Sequence, residues 1–276
     1  MPSRCQGNNY NGEWSGAGSV LAPRRSRHVH CRGASLDERK TPESVIGDGG
    51  VTEPMIQFFH VSKYYGGRLA LSDINLQIEK GEFVLLMGAS GAGKTTLLKL
   101  LFGSERPDEG QVFVQNRNVG RLKASEVPSL RRTLGFVFQD FRLLPKKTVY
   151  DNVAMPLMVQ GVSRQNTRRK VLETLKAVGV EHRKESRPAM LSAGEQQRVC
   201  IARAVVNGPI ILLAAEPTGN MDTQLAGEII DLFKLINARG TTVVIATHNR
   251  QVVDQVKRRV VTLNQGKVVS DEGAGR

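Results

Sequence analysis

The run Gly88-Ala89-Ser90-Gly91-Ala92-Gly93-Lys94-Thr95 has the spacing of a phosphate-binding loop, GxxxxGK[ST]. Its glycines allow a tight backbone turn, so successive N–H groups can converge on phosphate oxygens. The apolar stretch that begins at Thr95-Thr96 reads as a helix whose N-terminus adds partial positive charge. Lys94 is the group that would reach the β- and γ-phosphates, and the Thr95 hydroxyl a Mg²⁺ ligand. The bland alternative is a glycine-rich connector with no ligand. A strand-like run just upstream, residues 83–87, argues against it. A second chemical signal is Ile210-Ile211-Leu212-Leu213-Ala214-Ala215-Glu216, a buried-strand pattern that ends in a carboxylate. P-loop enzymes place their metal- and water-handling acids at such a strand end.

These groups need a scaffold, and the hydrophobic pattern supplies one. Strands are expected at residues 56–61, 74–78, 83–87, 111–114, 134–138, 210–214, 242–246, 260–263 and 267–269. Helical patterns lie between them at 95–102, 167–178, 194–206, 224–238 and 251–257. Strands alternating with helices predict an α/β fold with a mainly parallel sheet. Residues 146–190 lack a strong strand and read as a helical insertion.

Composition narrows the classes. The chain has 276 residues with 39 Lys+Arg against 26 Asp+Glu, a net charge of +13. Hydrophobic content of 40% excludes wholesale disorder. Cys5, Cys31 and Cys200 have neither disulfide-framework nor metal spacing, which suits a reducing compartment. No apolar run approaches the roughly 20 residues of a spanning helix. Residues 1–54 are rich in Gly, Ser and Arg and carry a net charge of only +1. They are expected to be an unfolded extension, or to lie upstream of a start at Met55; an arm using Arg24, Arg25 and Arg27 is the functional alternative. Basic clusters at 121–132, 164–170, 183–187 and 257–259 would attract nucleic acid or an anionic membrane leaflet, or simply form solvated helix faces. No nucleic-acid motif accompanies them, so no specific nucleic acid is expected.

Between and after the two chemical signals lie Leu191-Ser192-Ala193-Gly194-Glu195-Gln196-Gln197-Arg198, Pro217-Thr218-Gly219-Asn220-Met221-Asp222 and Thr247-His248. With these, residues 55–276 resemble the nucleotide-binding subunits of ABC (ATP-binding cassette) transporters. The resemblance implies a P-loop NTPase with a RecA-like parallel-sheet core, an antiparallel β subdomain and a helical signature subdomain at about 146–206. It implies ATP and Mg²⁺ as ligands and a homodimer with composite ATP sites. By the same resemblance Tyr65, or its neighbour Tyr64, stacks on adenine. Gly88, Ala89, Ser90, Gly91, Ala92, Gly93, Lys94, Thr95 and Thr96 hold the phosphates. Gln139 senses Mg²⁺ and contacts the membrane partner. Ser192 and Gly194 cap the γ-phosphate bound by the opposite subunit, and Asp222 links the two sites. Glu216 polarises the attacking water, and His248 contacts the γ-phosphate.

Two positions depart from the family pattern. Ala215 stands where the family has a metal-side aspartate, and Ala193 where its signature has glycine. The first is expected to weaken the metal's hold. The second is expected to be strained if its φ is positive. Retained ATP binding with weakened hydrolysis follows as the expectation, with a nucleotide-dependent scaffold as its extreme.

Within the family, residues 130–157, LRRTLGFVFQDFRLLPKKTVYDNVAMPL, are most similar to the bacterial cell-division branch, the FtsE family. That resemblance implies a peripheral protein on the cytoplasmic side of the inner membrane, docked on an FtsX-like integral membrane protein. ATP cycling would then signal to cell-wall hydrolases. ATPases of lipoprotein-release or macrolide exporters are the competing branch. A DNA-repair ABC ATPase is disfavoured, because the stretch between Thr95 and Leu191 has no room for a long coiled-coil or zinc insertion.

Overall fold

The computed structural model describes residues 54–273 except Asn220. The readings of residues 1–53, Cys5 and Cys31 included, lie outside the described residues. Two sheets and one helix between them organise the rest. The chain opens with β1 (Ile56–Tyr65) and β2 (Arg68–Ile78), an antiparallel hairpin turned by Gly66-Gly67. It then enters β3 (Phe83–Met87), the phosphate loop and α1 (Lys94–Leu101). The hairpin β4 (Glu109–Val114) and β5 (Arg117–Asn118) completes a four-stranded antiparallel sheet ordered β2-β1-β4-β5.

Next come α2 (Val127–Thr133), β6 (Leu134–Val137), α3 (Val149–Val159), α4 (Arg164–Ala177) and α5 (Ala193–Val205). The chain ends with β7 (Ile211–Ala215), α6 (Thr223–Ala238), β8 (Thr242–Thr247), α7 (Arg250–Val256), β9 (Arg259–Asn264) and β10 (Lys267–Glu272). The second sheet runs β10-β9-β3-β8-β7-β6. All its neighbours are parallel except the closing β9–β10 hairpin.

Alternation along the strands divides the core. Ile211, Leu213 and Ala215 of β7 join the cluster that holds α1 and the antiparallel sheet. Leu212 and Ala214 face the opposite cluster, with α3, α5 and α6. Every residue of β7 and β8 is buried, which is why both read as continuous apolar runs rather than alternating ones. The insertion expected at 146–190 is α3 and α4 plus two short 3₁₀ turns. Within it, fully buried Asn152 accepts from Leu144 N–H at 2.7 Å and donates to Thr148 O at 2.8 Å, pinning the loop that precedes α3. Sequence periodicity missed α2 and β5, which are only seven and two residues long.

Candidate functional site: a phosphate cradle at the carboxyl ends of the strands

The loop from β3 to α1 depends on two glycines that no other residue could replace. Gly88 has φ +155°, and a Cβ there would meet Leu263 O at 2.3 Å. Gly93 has φ +107°, and a Cβ would meet Leu71 Cδ2 at 2.7 Å. Lys94 opens α1 and folds back over the loop. Its Nζ donates to Gly88 O at 2.8 Å and Ala89 O at 3.1 Å. The side chain is almost wholly buried, so its charge is held in place before any ligand arrives.

The carboxylate expected at the end of β7 is there. Glu216 follows the strand with φ +48°, a left-handed conformation that costs a non-glycine residue about 1–3 kcal/mol. Its Oε1 lies 3.4 Å from Lys94 Nζ. Its Oε2 lies 3.0 Å from His248 Nδ1 and accepts from His248 N–H at 3.2 Å. Lys94, Thr95, Thr96, Gln139, Glu216 and His248 line one cavity of about 230 Å³ with Ser90, Gly91 and Gly93. Larger cavities of about 580 and 490 Å³ lie away from these groups. Gln139, Glu216 and His248, expected from sequence to be catalytic, are therefore brought together with Ser90, Gly91, Gly93, Lys94, Thr95 and Thr96 of the loop and the start of α1.

Other expected site residues lie outside that cavity. Tyr65 ends β1, and its side chain bonds Thr96 and Glu105. Burial and the Glu105 carboxylate push its phenol above the usual tyrosine value. Of the two tyrosines it is therefore Tyr65 whose side chain reaches the helix that carries the phosphate loop. Ser192 caps α5, and Asp222 caps α6 by accepting from Leu225 N–H at 2.8 Å. A Cβ on Gly194 would meet Leu225 Cδ1 at 2.8 Å, so that glycine lets α5 approach α6 closely.

The strain expected at Ala193 is absent. Ala193 is the first residue of α5, an ordinary helical position, and it is not among the residues with positive φ. Any L-residue adopts that conformation, so Ala193→Gly has no strain to relieve.

The start of α5 carries a further device. Ser192 and Glu195 form a capping box, and Arg183 Nε donates to Glu195 Oε1 at 2.8 Å. The Arg183 bond and the Ser192 N–H hold the Glu195 carboxyl down at about 2. A depressed carboxyl contributes stability that is present above its unfolded value of 4.5 and is lost as pH falls through about 2. Glu195→Gln is therefore expected to flatten the acid limb of the unfolding curve between those values. Thermal melts against pH check this, and parallel limbs for the two proteins would show that Glu195 contributes nothing there.

Sequence reasoning gave no role to Arg203 or Cys200, which hold the loop after Gln139. Arg203 Nη2 donates to Phe141 O at 2.7 Å and Nη1 to Arg142 O, while Cys200 Sγ–H donates to Phe141 O at 3.1 Å. Phe141 and Arg142 are consecutive residues with φ of +54° and +49°. Burial pushes the Cys200 thiol up to about 12, so it is a packed donor rather than a nucleophile. The one sequence signal was the spacing of Cys200 and Arg203 on a single helix face, which by itself does not point to a loop 60 residues upstream.

A phosphate loop between a buried parallel strand and a helix, with a carboxylate at a strand end two places across the sheet, defines a P-loop nucleoside triphosphatase. The particular family is also determined: the ABC transporter family profile matches residues 71–219, and the chain belongs to that family as an ATP-binding ATPase. It is 50% identical over 223 residues to the cell division ATP-binding protein FtsE of Mycobacterium tuberculosis, covering 80% of this chain and 97% of that protein. With the FtsE of Escherichia coli K12 it shares 49% identity over 213 residues, 77% of this chain and 96% of the other. A dimeric bacterial ABC transporter cassette superposes with a TM-score of 0.75 at 38% identity, covering 80% of this chain and all of that one. The same cassette in a post-hydrolysis state bound to ADP and Pi gives 0.73 at 37% identity, with the same coverage.

Proposed function

We propose that this chain is the ATP-binding subunit of a cell-division ABC complex, working as a homodimer on the cytoplasmic face of the bacterial inner membrane. Its partner in this reading is an FtsX-like integral membrane protein, and the output is a signal across the membrane to cell-wall hydrolases. Its relatives are named for cell division, and they match it along nearly their whole length. The described residues contain no helix long and apolar enough to cross a membrane, so the reading places membrane attachment in the partner.

One observation carries the coupling. Gln139 lines the nucleotide cavity, while Phe138 and Arg142 in the same loop line the groove of about 490 Å³. Phe102, Phe136 and Phe138 give that groove an aromatic floor, with rings 4.4 to 6.4 Å apart. Arg131 and Arg142 lie over two of these rings, at 4.8 and 4.3 Å. Met155 and Val159 of α3 expose apolar surface along the same groove. Such a groove suits an amphipathic helix with acidic flanks, laid against aromatic surface beneath arginines.

The nucleotide cavity, at about 230 Å³, is smaller than the roughly 300–1,000 Å³ of complete ligand pockets. The missing wall is assigned to a second copy, whose Ser192 and Gly194 would close over the γ-phosphate and whose Asp222 would link the two sites. In the composite site Lys94 and the loop amides bind the phosphates, and Tyr65 supports the base. Glu216 accepts the proton of the attacking water, and His248 donates to the γ-phosphate. Hard oxygen donors suit Mg²⁺, and the Thr95 hydroxyl and Gln139 amide fit it as donors beside the phosphates. When bound, Mg²⁺ supplies charge neutralisation for the phosphates.

Co-purification with the membrane partner tests the reading. Phe141 and Leu143 are half-buried against the core, so the exposed Met155 and Val159, which line the groove, are the positions to alter. Met155→Glu and Val159→Glu are expected to lose the partner while ATP binding is unchanged. Undiminished pull-down of the partner by both variants would move docking away from this groove.

A further inference from the structure

We infer that a small basic pocket between α3, α4 and the segment at 184–185 holds the phosphate of an anionic lipid headgroup, so that the helical insertion rests directly on the membrane surface. The inference goes beyond the reading above, since it needs neither the nucleotide site nor the membrane partner. The pocket has a volume of about 220 Å³ and is lined by Tyr150, Arg168, Leu172, Lys184 and Glu185. Tyr150 lies in the first turn of α3, and Arg168 and Leu172 lie on α4. Backbone bonds fix the third wall against α3: Val149 N–H donates to Ser186 O and Tyr150 N–H to Lys184 O, both at 2.9 Å. A pocket of this size is below that of complete ligand sites, so it takes a headgroup and leaves the rest of the molecule outside.

Ion pairing sets this face of α4 apart from the next. Arg164, Arg168 and Leu172 form one row at i, i+4 spacing. Like charges at that spacing destabilise a helix. Among the described residues the side chains of Arg164, Arg168 and Lys184 have no ion-pair or hydrogen-bond partner. Their neighbours do: Arg169 meets Glu173 at 3.5 Å, and Arg183 meets Glu195 at 2.8 Å. The pocket's one carboxylate, Glu185, is exposed and pairs with neither cation. Two unpaired cations thus line one small pocket, and Tyr150 adds a phenol hydroxyl to its donors. A guanidinium fork that can take two oxygens, beside an ammonium point charge, is a donor set for a phosphate diester.

The surroundings favour a lipid as its source. From Asn152 to Leu172 the chain has no acid and four basic residues, Arg164, Arg168, Arg169 and Lys170. Lys146 and Lys147, both exposed, precede α3. Near the end of α3, Met158 is 66% exposed and adjoins Val159 of the groove assigned to the membrane partner. Cations beside exposed apolar side chains mark a surface that lies at headgroup level. Nucleic acid would use the same cations but leave Met158 in water.

The test is co-sedimentation of the full-length protein, without its partner, with vesicles of mixed phosphatidylglycerol and phosphatidylcholine and with vesicles of phosphatidylcholine alone. Binding is expected to the anionic vesicles only. Arg168→Ser/Lys184→Ser is expected to weaken it at least about tenfold, a severalfold loss for each basic residue held at an anionic surface. Lys80→Ser/Lys267→Ser removes the same charge from exposed lysines elsewhere and is expected to lose less than about threefold. Equal losses by the two double variants would reduce the effect to net charge and overturn the pocket. No binding by the wild type, or undiminished binding by Arg168→Ser/Lys184→Ser, would overturn it as well. Displacement by millimolar inorganic phosphate, but not by NaCl of equal ionic strength, would make free phosphate the ligand and overturn the lipid assignment. Duplex DNA bound more tightly than the anionic vesicles, and lost in the same variant, would give the surface to nucleic acid instead.

Discussion

Ala215→Asp is expected to raise Mg²⁺-dependent phosphate release at least about tenfold, the scale on which a metal's supporting partner acts. The side chain would extend from the end of β7 on the face shared with α1, within the neighbourhood of Lys94 and the Thr95 hydroxyl. A buried carboxylate is costly when unpaired, but Lys94 is already fixed there by two loop carbonyls and can share its charge. The restored acid would orient metal-bound water and so hold the phosphates in register with Glu216. The measurement compares the two proteins with the membrane partner present. Equal turnover would mean that another group already holds the metal and that the natural protein is an ordinary active ATPase.

Glu216→Gln is expected to lower turnover by at least about a hundredfold, the lower end of what a positioned general base contributes. Glutamine preserves the shape and can still accept from the His248 N–H, but it cannot take a proton from water. Nucleotide binding rests on Lys94 and the loop amides, so it is expected to survive the change. Single-turnover phosphate release separates the two properties, and it is best read in the Ala215→Asp background, where the signal is larger. Retained turnover would relocate the base, and His248, 3.0 Å from Glu216, is the group to which it would pass.

The phosphate loop was legible because its chemistry is local. Three glycines, a lysine and a threonine act within eight consecutive residues, so spacing alone reports their geometry. Glu216 was legible for a related reason, since the all-buried strand before it is a visible apolar run. What sequence could not convey depends on distant packing. The α5–Gln139 loop contact joins Arg203 to carbonyls about sixty residues away. Ala193 is a telling case of the opposite error. A glycine-to-alanine departure suggested strain, yet the backbone there is the first turn of a helix, where alanine is at ease. The short α2 and β5 escaped notice because they are held by neighbours rather than by their own periodicity.

The two left-handed residues after Gln139 give the loop a mechanical character. Each such conformation costs a non-glycine residue about 1–3 kcal/mol, so the pair stores energy that the Arg203 and Cys200 bonds must offset. The loop is thus a cocked spring whose catch belongs to the helix that begins with the signature residues. Letting go of Phe141 O and Arg142 O releases strain at the moment those bonds are lost, so the net cost of moving Gln139 is smaller than the bonds alone would set. A small displacement of α5 would therefore reach the backbone beside Gln139 directly through these bonds.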